Sequence, residues 1–418
     1  MKVFAIPTVT AGVTASLSVL FFTGVSQVFG DTLLAGIILT QASVALVQLA
    51  MVPQGWVYVI GSPDPETLKK RYSQAMTLEL AGIALALTLI LVALQLPWFA
   101  RLEAGVGAVP LFFSLVIQGS TSCMGRLRAT ENWLGYCLWN LTGNAIRAPL
   151  IWATPALVSA GLLPAAMDRA TIIIIFFLLP DIVRFLIIYV PQAIRHYRWP
   201  GIDQSLQGAR IILTNWSYDL ASALTEVFDK ILVGALLGPS ILVAYFFARK
   251  IGIISIMVLE PFYAEFYRRC ATIADDVAAR RAQMQVYVRG LGLGTVLFFA
   301  MALAIGVVGL VPALRNLLPA SVSQHLDLFL LILAADCAIS ANRWSRYIAQ
   351  LRGGVSRLFT VRILLFGVFV AGVTLCGSAF GGLGVGLALA TVPLLEALYI
   401  AAWLRYGPAD CAITGGKR

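Results

Sequence analysis

Charge is scarce in this chain. Only 12% of its residues are Asp, Glu, Lys or Arg, against roughly 25% in a typical soluble domain, so it cannot clothe an ordinary water-facing surface. Histidine is scarcer: His196 and His325 are the only two, too few for an imidazole metal centre. The six cysteines are dispersed without a Cys-x-x-Cys spacing, which argues against both a metal cluster and a disulfide framework. HExxH, GxSxG and GxxxxGK[ST] are all absent, so neither a hydrolase nor an ATPase is indicated. No catalytic residue, metal ligand or cofactor is therefore expected.

What the chain has instead is apolar length. Hydrophobic residues make up 60% of the 418, and runs of 18 or more recur throughout, the signal for spanning helices. The expected fold is an all-α polytopic membrane protein. Its spans are 7–29, 32–60, 74–96, 104–124, 133–158, 170–190, 209–236, 239–263, 286–311, 321–341, 358–377 and 383–404. The start, "MKVFAIPTVTAGVTASLSVLFF", reads as a first span rather than a signal peptide, because no small-residue cleavage site follows it. Asn140, Asn144, Arg147, Pro149 and Pro155 interrupt the fifth span.

The net charge of +10 is a topology signal, not a nucleic-acid footprint. With both termini cytoplasmic, the inner side holds the Lys69–Arg71 cluster, Arg126, Arg128, Arg195, Arg198 and Arg210. It also holds the basic residues of 268–289 and 343–362 and those of the C-terminus. The outer side holds only Arg101, Arg169 and Arg315. That asymmetry across short loops satisfies the positive-inside rule. The longest inner connections, 191–208 and 264–285, leave no room for a soluble catalytic domain, and the second reads as an amphipathic helical connector continuing out of the eighth span.

Two hairpins repeat at a distance of half the chain. "SQVFGDTLLAGIILTQ" (26–41) aligns with "GALLGPSILVAYFFAR" (234–249), placing Gly30 against Gly238 at an offset of 208. Each is an apolar helix end, a glycine that frees the backbone, and a turn-forming Asp or Pro opening the next helix. Six spans separate them, so both hairpins lie on the outer face in parallel orientation. The expected organisation is two pseudo-symmetric six-helix bundles, 1–195 and 209–418, joined by a cytoplasmic linker at 196–208.

Charges inside the spans are the candidate site residues, because ionisable groups facing lipid are costly. On the seventh helix Asp219, Glu226 and Lys230 fall within about 40° of one another, beside Asn215. Glu226 and Lys230 are spaced to pair, while Asp229 lies off that stripe. Asp219 and either Arg249 or Lys250 reach similar depth and form a candidate cross-helix pair. Arg147, Asp181 with Arg184, Asp336 and Glu396 are further candidates; Asp336 is placed to balance the basic cluster after it, and Glu396 has no evident partner. Glu79 and Glu260 fall near span ends and read as interfacial. Gln41 and Gln48, seven apart on one face, suggest a lined cavity.

The stretch "FDKILVGALLGPSILVAYFFARKIGIISIMVLEPF" resembles the seventh-to-eighth helix region of bacterial polysaccharide flippases in the MOP superfamily, a MATE-like exporter fold. The residues that carry the resemblance are Asp229–Lys230, Leu237–Gly238–Pro239, Tyr245, Arg249 and Pro261, with "FGDTLLAG" (29–36) similar to the matching first hairpin. The resemblance implies alternating access in a bacterial inner membrane. It implies a polyprenyl-diphosphate-linked oligosaccharide as substrate, and glycosyltransferases or a polymerase as partners alongside membrane lipids. Arg249 or Lys250, and secondarily Arg147 and Arg184, would then meet the diphosphate by charge-assisted hydrogen bonds.

One feature departs from that pattern. With the basic residues assigned to the inner side left out, Arg147, Arg184, Lys230, Arg249 and Lys250 stand against Glu79, Asp181, Asp219, Glu226, Asp229, Glu260, Asp336 and Glu396. An acidic excess suits proton or sodium coupling, or a cationic drug substrate as in the multidrug branch of the same superfamily. A non-transporting scaffold of a polysaccharide synthase is the third reading; it requires a closed, well-paired interior.

Overall fold

The computed structural model describes residues 2–93 apart from 54, 61 and 63, together with 121–162, 169–254, 276–310, 319–342 and 355–406. All regular structure among them is helical. The chain forms two compact units, Met1–Ile231 and Leu232–Arg418.

In the N-terminal unit, α1 (Lys2–Phe29) is followed by α2 (Asp31–Met51), the short α3 (Trp56–Ile60) and α4 (Pro65–Ala93). Next come α5 (Thr121–Ala129), α6 (Trp133–Ser159) and α7 (Arg169–Arg184). A π-helical turn, Phe185–Tyr189, leads into α8 (Val190–His196), and α9 (Ile202–Leu237) carries the chain across the division. In the C-terminal unit lie α10 (239–254), α11 (Asp276–Leu310), α12 (Ala320–Gln324), α13 (Leu326–Asn342) and α14 (Val355–Tyr406).

Five of these helices are long and apolar enough to cross a membrane: Gly12–Phe29, Asp31–Met51, Pro65–Leu89, Arg281–Val307 and Leu358–Arg405. The last contains a non-helical Gly381 at φ 60°, between the two spans expected at 358–377 and 383–404. Several expected spans fall short for identifiable reasons. α7 and α13 are 16 and 17 residues long, and α6 carries Asn140, Asn144 and Arg147. Most of the fourth span and the end of the eighth, with Glu260 and Pro261, lie outside the described residues. Nonetheless α6 runs unbroken through Pro149 and Pro155.

One expectation is corrected. The span 32–60 is not one helix: α2 stops at Met51, α3 begins at Trp56, and Val52, Pro53 and Gly55 between them are non-helical. Pro53 supplies no N–H to continue the ladder, which explains the stop. The connector 264–285 is, from Asp276 on, the start of α11 and continuous with the ninth span; its exit from the eighth span, with residues 264–275, lies outside the described residues.

Local chemistry sets the helix ends. Asp64 caps α4, its Oδ1 accepting from the Thr67 N–H at 2.8 Å and its Oδ2 from the Thr67 hydroxyl at 2.7 Å, with Pro65 at the favoured first position. Those bonds hold the exposed Asp64 carboxyl below the usual carboxylate range. Asn132 caps α6 by accepting from the Gly135 N–H at 2.9 Å. At the paired hairpins, Gly30 and Gly238 adopt φ of 94° and 83°. Each carbonyl then accepts from the amide four residues on, Leu34 at 3.3 Å and Leu242 at 3.2 Å.

Apolar and polar residues are distributed as in a membrane protein. Leu89, Val92, Ile187, Phe299, Leu303, Leu375, Phe380 and Leu398 are exposed, while Arg147, Asp181, Arg249, Asp336 and Glu396 are buried. Polar contacts run the length of the α1–α6 seam. Thr10 Oγ1 meets Cys137 Sγ at 3.1 Å, Asn144 donates to the Thr14 carbonyl at 3.2 Å, and Trp152 donates to the Leu20 carbonyl at 3.1 Å. Such bonds hold spanning helices together where lipid offers no hydrophobic driving force. The protein is a multi-pass membrane protein.

Candidate functional site

The buried charges are organised separately in each unit. In the N-terminal unit α6 and α7 bring together Arg147, Asp181 and Arg184. Asp181 Oδ2 is ion-paired with Arg147, and its Oδ1 lies 3.2 Å from Arg184. Arg184 also donates to the Trp139 carbonyl at 3.1 Å, and its guanidinium lies 4.8 Å over the Trp139 ring. Gly143 leaves space for this group: a Cβ there would stand 3.3 Å from Asp181 Oδ1. Two guanidiniums on one carboxylate leave the cluster with an excess positive charge.

In the C-terminal unit Arg249 on α10 is paired with Asp336 on α13. The two meet because residue 252 is glycine; a Cβ there would fall on the Asp336 carboxylate. Lys250 lies 5.4 Å over the Phe246 ring. Arg362 and Glu396, both on α14 and on either side of its Gly381 break, are 2.9 Å apart. Asn342 ties the same region, accepting from Tyr287 at 2.9 Å and donating to the Pro393 carbonyl at 2.7 Å.

These pairings revise several sequence readings. Arg249 takes Asp336 as a partner, joining the first cation assigned to substrate to the acid placed to balance the following basic cluster. Glu396 has a partner, Arg362, which had been placed among the loop cations. Asp181 and Arg184 lie together as their spacing suggests, with Arg147 as an additional member that spacing does not reveal. Lys230 is 3.1 Å from the fully buried Asp229, the residue set off the stripe. The side chains of Asp219, Glu226 and Asn215 lie outside the described residues. Gln41 and Gln48 are half-buried on α2.

Glu79, read from sequence as interfacial, is 1% exposed. Its Oε1 accepts from the Gly55 N–H at 3.2 Å, from the Ser122 N–H at 2.8 Å and from the Thr121 hydroxyl; its Oε2 accepts from Ser122 Oγ at 2.6 Å. The available signal was the lack of any basic residue three or four positions away. Among the described residues, no group of three or more His, Cys, Asp or Glu could hold a metal ion.

Chemically, each arginine is held by a buried carboxylate. Removing one partner in a low-dielectric interior is strongly destabilising, because it strands the other charge. Opening a pair therefore requires a proton, an ion or a ligand to replace what is lost.

No family model matches the chain, and no curated protein matches it. Solved structures match it over nearly its whole length. An inward-facing multidrug resistance MATE family transporter of the MOP superfamily is similar with a TM-score of 0.70 at 13% identity, covering 94% of this chain and 93% of that one. The Vibrio cholerae MATE transporter VcmN in its bent form is similar with a TM-score of 0.62 at 14% identity, covering 97% and 96%. The lipid II flippase MurJ, inward closed, is similar with a TM-score of 0.55 at 15% identity, covering 98% and 88%. The chain has a MATE-like fold.

Proposed function

We propose that the chain is an alternating-access carrier of twelve spans in two pseudo-symmetric six-helix bundles, 1–195 and 209–418, with both termini cytoplasmic in a bacterial inner membrane. We favour ion-coupled export of small organic cations. One observation carries this: Arg147, Arg184, Arg249 and Arg362 all engage carboxylates. Arg249, the first of the cations that a diphosphate substrate would need, is thus neutralised, and Arg147 and Arg184 are partly so. Of the structures compared above, the two MATE transporters also have higher TM-scores than the flippase.

Lipid-linked oligosaccharide flipping is the second reading, with glycosyltransferases or a polymerase as partners. It is favoured by the excess positive charge at Asp181, where Arg147 and Arg184 share one carboxylate, and by the Leu237–Pro239 hairpin resemblance. In it Arg184 and Lys250 are the residues for the anionic group.

Reconstituted vesicles test both. A proton or sodium gradient is imposed, and uptake of a fluorescent lipophilic cation is measured beside leaflet transfer of a labelled polyprenyl-diphosphate sugar. Gradient-driven cation uptake is expected. Sugar transfer without cation uptake would overturn the favoured reading and support the second.

A further inference from the structure

We propose that Glu79 is a proton-binding site of the N-terminal unit, whose occupancy loosens the break in the second span at Gly55. The proposal rests on the ion-coupled reading and names an ion and the atom that takes it.

Glu79 differs from every other buried acid among the described residues. Asp181, Asp229, Asp336 and Glu396 each sit on a cation, so protonating any of them strands a buried charge. Among the described residues the partners of Glu79 are all uncharged: two backbone N–H groups and two hydroxyls from two segments of chain. Its neutralisation strands nothing.

The proton has a defined place. On Oε2 it faces Ser122 Oγ at 2.6 Å, and a hydroxyl accepts as readily as it donates. One proton is taken up, and Ser122 Oγ turns from donor to acceptor. The N–H bonds to Oε1 then pass from charge-assisted to neutral, losing roughly half their strength. The Gly55 bond, at 3.2 Å, is the longest of the set.

Gly55 belongs to the non-helical stretch that interrupts the second span, and that stretch is closely packed. A Cβ on Gly125 would stand 2.8 Å from the Trp56 carbonyl oxygen, and one on Gly82 would stand 3.0 Å from Pro53 Cδ. Release at Gly55 therefore reaches α4 and α5 directly.

Tyr72 supplies an approach. It lies seven residues before Glu79 on the same face of α4, roughly 10 Å nearer the Lys69–Arg71 end. It is fully buried, and its hydroxyl has no hydrogen-bond partner among the described residues. A buried hydroxyl left unpaired is costly and calls for a reason. A water entering from the basic end would pair with it, giving the hydroxyl a proton to accept as it passes its own on towards Glu79. Cys123 on α5 and Tyr72 lie within electrostatic reach of Glu79, and Arg126 lies 5.5 Å over the Tyr72 ring. The break contributes no charged side chain and α3 only Tyr58, which is bonded to Gln74 at 2.9 Å.

Infrared difference spectroscopy of the reconstituted protein, stepped from about pH 8 to about pH 5, tests this without any substrate. The wild type is expected to gain the carbonyl-stretch band of a protonated carboxylic acid, and Glu79→Gln to lack it. Ser122→Ala, which removes one donor to the carboxylate, should move the band to higher pH. Tyr72→Phe, which loses no hydrogen bond, should keep the fold and slow the band's appearance after a pH jump. A band unchanged in Glu79→Gln, or absent from the wild type, overturns the proposal. Because no substrate is present, failure here is distinct from failure of cation export.

Discussion

In the N-terminal unit Arg147 meets Asp181 across α6 and α7; in the C-terminal unit Arg362 meets Glu396 across the Gly381 break of α14. The spacing is the same, since 362 − 147 and 396 − 181 both equal 215. The hairpin glycines are 208 apart, from 238 − 30. The difference, seven residues, is two helical turns and preserves the helix face. The halves diverge at the third member: 215 residues beyond Arg184 stands Tyr399, stacked on Trp403. At the hairpin offset, Arg249 has Gln41 as its counterpart. One ionic motif is therefore kept in both halves, while the cation added beside it differs in each.

The sharpest way to break this comparison is to remove the shared acid. Asp181→Ala strands two guanidiniums and should lower stability by about 3–5 kcal/mol. Glu396→Ala, which strands Arg362, should cost less. Thermal midpoints and monodispersity in detergent measure both, and equal losses would mean that Arg184 adds no charge burden. Gly252→Ala comes next. Its Cβ would fall on Asp336, and crowding of this kind typically costs about 1–3 kcal/mol; Gln41→Ala, at the Arg249 counterpart, should lose far less.

Gly30→Ala and Gly238→Ala sharpen the likeness. Neither Cβ would meet another atom within 4 Å, so the cost is the positive φ alone, on the order of 1 kcal/mol each. Unequal thermal shifts would show that the two turns are not equivalent. The smallest effect concerns His196, at the end of α8 and beyond the last span of its half. Burial, together with Arg126, Arg195, Lys69 and Arg198, pushes its pKa down. The unfolded chain therefore takes up the proton first. Stability is full above the ordinary histidine value of about 6.5 and declines as pH falls from there through the folded value. His196→Gln should flatten that part of the pH–stability curve, and NMR titration of the ring should report the depressed pKa.

Legibility followed sequence distance. Asp181 and Arg184 are three apart, and Gly30 and Gly238 sit at turns whose chemistry is local, so both were visible in the chain. Arg249 and Asp336 are 87 residues apart, and nothing in either neighbourhood points to the other. Arg362 looked like a loop cation because it follows a basic cluster, and only the return of α14 after Gly381 gives it Glu396. The break after Met51 had a signal, Pro53 with a glycine two residues on, which an apolar run on both sides obscured. Glu79 had a negative one, an acid with no basic neighbour at helical spacing.

The sequence by itself determined the solvent and the class of fold. Long apolar runs, few charges and basic loops leave a helical membrane protein as the solution, because backbone polar groups in lipid must be satisfied within each segment. It also determined where the two hairpins turn. Tertiary structure alone decided which charge meets which. An ion pair depends on a few ångströms between side chains on different helices, and helical periodicity fixes the face a residue occupies but not the helix that packs against it. Hence Asp181, Asp336 and Glu396 are met by arginines from other helical segments, while Glu79, among the described residues, is met by dipoles alone.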